Sequence, residues 1–390
     1  MTAISNEDSQ AADPLENWGL PGWIYGNERF FREEQDRIFR PSWQIVCHLN
    51  DIPKAGDFHT FDFVGESLVV VRGKDGGARA FANVCRHRGA RLLDGPVGRC
   101  NSRIVCPYHA WTYDLEGRLI GVPMRDDYPA LDMAKEGLTR IETEIWRGFV
   151  FVRIAKHQEG GEGPSVATMM APYEDEVAHY RFEELQPFGR VTLRPREVNW
   201  KNISDNYSDG LHIPVAHPGL TRLFGKGYGV EAKTFVDKMW GQLIDEPSES
   251  PSERLYQDLL PDVPHLPGDR KRLWTYFKLW PNFAFDIYPD QVDFMQFIPV
   301  SAGKTMIREI AYALPDERRE MKAARYLNWR INRQVNAEDT ELVARVQQGM
   351  ASRTFTAGPL ATSEVSLRSF GRKMRALVPE SRLERPPEGW

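Results

Sequence analysis

An α+β chain of two domains, a small all-β unit followed by a larger unit of antiparallel sheet and one long helix, is what the sequence predicts. Three observations carry that expectation. At 390 residues the chain is too long for one small module. From Trp43 to Ile154 short apolar runs alternate with turns. Beyond a polar, Gly-rich stretch, the apolar spacing runs first as strands and then as one extended helix.

The all-β unit rests on Ser67-Leu-Val-Val-Val-Arg72, the turn Lys74-Asp-Gly-Gly77, Ala80-Phe-Ala-Asn-Val84 and Gly148-Phe-Val-Phe-Val-Arg153. Lys156 to Ser165 has no apolar periodicity and reads as an exposed connection. Past it, Val191–Arg194 and Arg272–Tyr288 are strand-like, and large apolar residues alternate in Phe294–Ile298 and Met306–Ile310. Glu246 to Asp269 holds five prolines among Ser, Glu and Asp and reads as a surface loop or mobile cover. From Glu317 no Gly or Pro intervenes before Gly349, and Leu327, Ile331, Val335, Leu342 and Val346 recur at helical intervals. A long amphipathic helix packed on the sheet follows. The expected division is an N-terminal segment at 1–42 packing on the second domain, the all-β unit at 43–155, and the second domain at 156–390.

Composition excludes several classes. A chain 41% hydrophobic and 27% charged can bury real cores, so disorder is not its main state. Fifty Lys and Arg against 55 Asp and Glu, without a long single-sign block, recommend neither nucleic acid nor an anionic membrane as partner. The first 28 residues carry Glu7, Asp8, Asp13, Glu16 and Glu28 and no basic residue, the wrong sign for a signal peptide. No apolar stretch reaches spanning length, and a cytoplasmic protein is expected. Four cysteines are too few for a disulfide scaffold, which turns attention to metal binding.

Two of them join two histidines. Cys85-Arg-His87 and Cys106-Pro-Tyr-His109 form C-x-H and C-x-x-H prongs eighteen residues apart. Zinc fingers keep like ligands together, whereas each prong here mixes thiolate with imidazole. That mixture suits a [2Fe–2S] cluster whose one iron takes two thiolates and the other two imidazoles. Structural zinc or a chance pairing of buried Cys with structural His are the alternatives. Cys47 and Cys100 match no ligand position and read as packing residues.

At Arg86-His87-Arg88-Gly89 and Cys106-Pro-Tyr-His109-Ala-Trp111-Thr-Tyr-Asp114, with Gly117 beyond, the chain resembles the large (α) subunits of the Rieske non-haem iron oxygenases, also called aromatic-ring-hydroxylating oxygenases. Ala110 stands where glycine is usual. The resemblance implies a small all-β Rieske domain and a catalytic domain of helix-grip (START/Bet v 1-like) fold.

A second constellation follows in Asn199-Trp-Lys-Asn-Ile-Ser-Asp205-Asn-Tyr-Ser-Asp209-Gly-Leu-His212-Ile-Pro-Val-Ala-His217-Pro. Asp209 and His212, three apart, would share one helix face. His212 and His217, five apart, would diverge by about 140° on an unbroken helix, so Pro214 is expected to interrupt it and let them converge. Two imidazoles and a carboxylate on one face of Fe(II) leave positions for O₂ and substrate. Alone, D-x-x-H-x₄-H is a weak pattern; in the order and spacing the resemblance requires, it is specific. The resemblance places the third ligand at Asp339 in Asn336-Ala-Glu-Asp339-Thr-Glu, with Glu338 and Glu341 as competitors. It also implies that Asp209 bridges cluster His109 of one subunit to His212 of the next, so that the active unit is a ring, typically a homotrimer.

Electrons in such systems come from NAD(P)H through a flavin reductase, sometimes with a ferredoxin. This chain has no G-x-G-x-x-G after a strand, which places the nicotinamide on a partner. Gly358-Pro-Leu-Ala-Thr-Ser-Glu364 to Phe370-Gly-Arg resembles monooxygenase members that oxidise carbon beside nitrogen or oxygen, including choline- and carnitine-type enzymes and N-dealkylases. The expected reaction is oxidative N-dealkylation of an amide or amine xenobiotic. Alternatives are cis-dihydroxylation of a ring and oxidation of a quaternary ammonium, against which stands Asp209, where such oxidisers usually carry Glu. A Rieske-type electron carrier would need only the first constellation. Of Trp274, Tyr276, Phe277, Trp280, Phe283, Phe285 and Tyr288, most should be sheet core. Few charges converge on a pocket in sequence, which favours a neutral substrate.

Overall fold

In the first unit, residues 40–168 with 182–187, alternating apolar runs close into a seven-stranded antiparallel sheet. The computed structural model describes residues 13–155, 163–189 and 191–390, and most of the connection expected at 156–165 lies outside them. The strand order is Gln44–His48, Phe149–Arg153, Arg140–Trp146, Ala78–Ala82, Glu66–Arg72, Asp57–Phe63 and Val97–Arg99. A separate three-stranded sheet, Arg103–Val105, Thr112–Asp114 and Leu119–Gly121, carries the second cysteine–histidine prong in its first turn. One core joins the two: Val69, Val71 and Phe81 of the large sheet meet Ile104, Tyr113 and Leu119 of the small one, with Cys85 and Cys106 among them.

The second unit comprises 13–39, 169–181 and 188–390. Its antiparallel sheet runs from Thr192–Arg196 through Lys304–Ala313, Val292–Ser301, Phe283–Ile287, Leu273–Leu279 and Val236–Gln242 to Tyr228–Ala232. The long helix spans Arg319–Met350 and packs Ala324, Leu327 and Ile331 against Trp274, Met239 and Phe224. Its apolar stripe departs from expectation near the end: Val343 is buried in a cluster with Phe297 and Ile307 of the sheet while Val346 is exposed.

Residues expected as a loop behave differently. Pro251–Leu259 is a helix with Pro251 in its first turn, where a missing N–H costs nothing, and Tyr256 is buried against Trp274. The N-terminal segment is stapled to the helix Trp200–Ser208 by buried polar groups. Lys201 Nζ donates to Glu34 Oε1 at 2.7 Å and to the Ile24 carbonyl at 3.0 Å, and Trp200 Nε1 donates to Glu34 Oε2 at 3.1 Å. Neither charge of that pair is solvent-exposed, so removing one partner leaves the other uncompensated. No helix among the described residues is long and apolar enough to cross a membrane.

Candidate active site

The two prongs of the first constellation fold into nearly identical backbone rings. In one, Cys85 N donates to Ala90 O at 2.8 Å and Gly89 N to Cys85 O at 3.0 Å; in the other, Cys106 N donates to Trp111 O at 2.8 Å and Ala110 N to Cys106 O at 3.0 Å. The fifth residue of each ring is left-handed, Gly89 at φ 71° and Ala110 at φ 54°. Glycine adopts that conformation without penalty and alanine does not, so the departure at Ala110 keeps the loop shape at some strain.

Both thiols are buried and both imidazoles are partly exposed, with ring centroids 4.6 Å apart. His87 stacks on Trp111, and its Nδ1 is buried with no hydrogen-bond partner. Such an orphaned nitrogen in a unit with two buried thiols is a donor of the kind an iron would use. Burial pushes the Cys85 thiol upward, while the Tyr113 hydroxyl, 3.3 Å from Sγ, stabilises the thiolate in the other direction.

In the second unit, Asn199 starts the helix Trp200–Ser208, its side chain accepting from Lys201 N. The helix ends one residue before Asp209, which is extended at φ −80° and ψ 125°. Asp209 and His212 therefore do not share a helix face, contrary to expectation. The break falls at Asp209, a short helix Ile213–Ala216 follows, and Pro214 sits harmlessly in its first turn. A second break at His217, φ −117° and ψ 75°, brings its ring round to meet that of His212.

The donor atoms converge. His212 Nε2 lies 3.1 Å from His217 Nε2 and 3.6 Å from Asp339 Oδ1, and His217 Nε2 lies 3.0 Å from the same oxygen. Among the described residues this is the one group of three His, Cys, Asp or Glu side chains close enough to share an ion. Each imidazole is oriented from behind: His212 Nδ1 donates to Asp209 at 3.0 Å and His217 Nδ1 to Glu338 at 2.8 Å. Those bonds hold each ring with its Nε2 facing inward. Asn206 Nδ2 donates to Asp339 Oδ1 at 3.1 Å.

Charge follows geometry. Burial disfavours the imidazolium, yet Asp209 and Asp339 pull the pKa of His212 up to about 9. Burial likewise opposes ionisation of Asp339, but hydrogen bonds from both histidines and Asn206 bring it down to about 2. The pull that would hold protons here is the pull a divalent cation would satisfy, and N₂O donors suit Fe(II). Glu341 is not in the group, and Glu338, weighed as a ligand, points at the outer nitrogen of His217 instead. The orienting role of Glu338 and the contact of Asn206 carried no signal in the sequence, because both depend on which helix faces meet.

A cavity opens beside these three side chains, with about 890 Å³ of atom-free space counting the solvent at its mouth. Of the seven aromatic residues considered from sequence, Tyr276 and Tyr288 line it, and the other five are buried elsewhere. Tyr207 and Tyr228 join them. Charges do converge, contrary to expectation: Asp286, Glu309 and Arg196 line the same cavity. Asp286 is buried, accepts a hydrogen bond from Tyr207, and is pushed by burial to a pKa of about 7.

Comparison with known proteins matches these parts. Residues 182–380 fit the family described as "Ring hydroxylating alpha subunit (catalytic domain)", and residues 42–134 fit "Rieske [2Fe-2S] domain". The chain is 30% identical to the carnitine monooxygenase oxygenase subunit of Escherichia coli, over 88% of this chain and 87% of that one. It is 33% identical to the glycine betaine monooxygenase oxygenase subunit of Pseudomonas aeruginosa over 53% of this chain and 46% of that one. Among solved structures, a quaternary ammonium Rieske monooxygenase described for carnitine oxidation and inter-subunit electron transfer superposes with a TM-score of 0.78 at 25% identity, covering 92% of this chain and 95% of that one. Naphthalene 1,2-dioxygenase shares the fold with a TM-score of 0.71 at 22% identity, covering 94% and 93%.

Proposed function

The chain belongs to the Rieske oxygenase α subunits, enzymes with a [2Fe–2S] cluster and a mononuclear iron that use O₂, and from that premise we propose that it is a monooxygenase hydroxylating carbon next to a cationic nitrogen. The observation that carries this reading is the cavity beside His212, His217 and Asp339, in which four tyrosines surround the buried carboxylate of Asp286. Tyrosine faces attract ammonium groups, and a buried carboxylate without a basic partner gains most from a cation brought to it. A neutral amide would leave Asp286 uncompensated, so the substrate expected from sequence shifts from amide to amine or quaternary ammonium.

In this reading Cys85, His87, Cys106 and His109 hold the cluster, and His212, His217 and Asp339 hold the iron. The bound iron supplies O₂ activation with electrons that a separate reductase delivers through the cluster. The polypeptide's own work is positioning. Asp209 and Glu338 hold the two Nδ1–H groups and so aim both Nε2 atoms at one point, Asn206 holds Asp339 in place, and the tyrosine wall excludes water while seating the nitrogen. Asp209 also serves as the bridge to His109 of a neighbouring subunit in a homotrimer. Insertion of one oxygen atom beside nitrogen leaves a carbinol that collapses to an aldehyde and a dealkylated amine, which joins hydroxylation to N-dealkylation.

The test is turnover of the iron-loaded protein with a suitable reductase and isotopic O₂ on trimethylammonium compounds, tertiary amines, N-alkyl amides and arenes. Aldehyde and dealkylated amine from the cationic substrates are expected, with one labelled atom retained in the oxidised carbon before exchange. A cis-diol from arenes with no turnover of the amines would overturn the reading.

A further inference from the structure

The cavity also holds a basic group that no carboxylate of the described residues neutralises. Arg196 ends the edge strand Thr192–Arg196 and lines the cavity wall, half-buried. Its guanidinium donates to the Pro195 carbonyl at 3.1 Å, and that backbone contact leaves most of its five N–H groups free. Glu309, on the same wall, is engaged by Arg194 through their ion pair. Burial depresses the pKa of Arg196 with no carboxylate opposing it.

We infer that Arg196 receives an anionic group of the substrate, a carboxylate or sulfonate, so that the cavity selects molecules carrying a negative end as well as the reacting carbon. A partly desolvated guanidinium without a counter-ion is unfavourable until a planar anion fills its fork, and two parallel N–H···O bonds then give orientation as well as affinity. Asp286 lies three strands away in the same sheet, on Phe283–Ile287. Neighbouring strands are about 4.8 Å apart, and the register sets Arg196, opposite Thr305 and Pro299, six residues along from Asp286, opposite Asp293, so the two backbones lie roughly 24 Å from each other along the sheet. A single substrate touching both groups is therefore a long one, and a shorter anion reaches Arg196 alone. The two-pole form of the inference rests on the cationic-nitrogen reading above; the role of Arg196 does not.

Anaerobic calorimetric titration of the iron-loaded oxygenase tests it with paired probes, γ-butyrobetaine against its methyl ester and benzoate against benzamide. The expected result is that wild type binds γ-butyrobetaine about tenfold or more tightly than the ester, that Arg196→Met erases the gap, and that Arg196→Lys keeps part of it. Unchanged cluster absorbance in both variants establishes that they fold. If only the benzoate pair shows an Arg196-dependent gap, the anion site stands and the two-pole form falls. If neither pair shows a gap, or a gap survives Arg196→Met, the inference is overturned.

Discussion

Histidine does opposite jobs in the two metal regions. At the cysteine–histidine rings His87 keeps Nδ1 buried and unpartnered, whereas at the second site His212 and His217 give Nδ1 to Asp209 and Glu338 and turn Nε2 inward. The rings are built by local backbone hydrogen bonds within six residues. The second site is built by side chains that meet across more than a hundred residues of chain. The lesson is that the first site depends on backbone conformation and the second on carboxylates that orient their ligands, and substitutions should separate the two.

The largest effect belongs to Asp339→Ala. It should lower iron from about three to about two atoms per chain, abolish turnover, and leave the cluster spectrum untouched, as read by metal and sulfide analysis. Retention of the third iron would show that another carboxylate holds it. Next comes Asp209→Ala, which should keep iron at both centres when no chelator competes, yet lose reductant-coupled turnover by about a hundredfold or more; near-normal turnover would refute the bridging role. Glu338→Ala should weaken iron binding by about 10–100-fold in chelator competition, with Glu338→Gln recovering part of it, since an amide oxygen still accepts from Nδ1.

Smaller effects sharpen the backbone side of the contrast. In the cluster-bearing unit His48 is buried, its Nδ1 accepting from Asn50 N and its Nε2 donating to the Phe182 carbonyl, and burial first, then Arg72, hold its pKa down to about 4 against 6.5. The folded form thus binds fewer protons than the unfolded one. The stability this confers is present above pH 6.5 and is lost as pH falls towards 4, about 2–3 kcal/mol at most. Chemical denaturation across that range should show the slope in wild type and a shallower one in His48→Gln. Smallest is Ala110→Gly, which relieves the left-handed alanine and should stabilise the cluster unit by about 1 kcal/mol, less the entropy glycine returns to the unfolded chain. Destabilisation instead would show that the Ala110 methyl makes packing worth more than the strain.

Some elements were readable in one dimension because their physics is local. The two ring motifs, the strand alternation of the all-β unit and the helical repeat before Met350 each lie within a few consecutive turns. The helix Pro251–Leu259 was not readable, since its five neighbouring prolines signal a loop and only burial of Tyr256 makes a helix pay. Likewise the bend between Asp209 and His217 belongs to two backbone breaks, not to Pro214.

By itself the sequence determined the ligand chemistry: which residues offer sulfur, imidazole and carboxylate, and at what spacing along the chain. Tertiary structure decided that Glu338 faces the outer nitrogen of His217 while Asp339 faces the inner ones, because the two are adjacent on one helix and differ only in where their side chains point. It also decided that Arg196 and Asp286 face one cavity. Strand register and helix packing bring together charges that are ninety residues apart, and no local pattern records such a meeting.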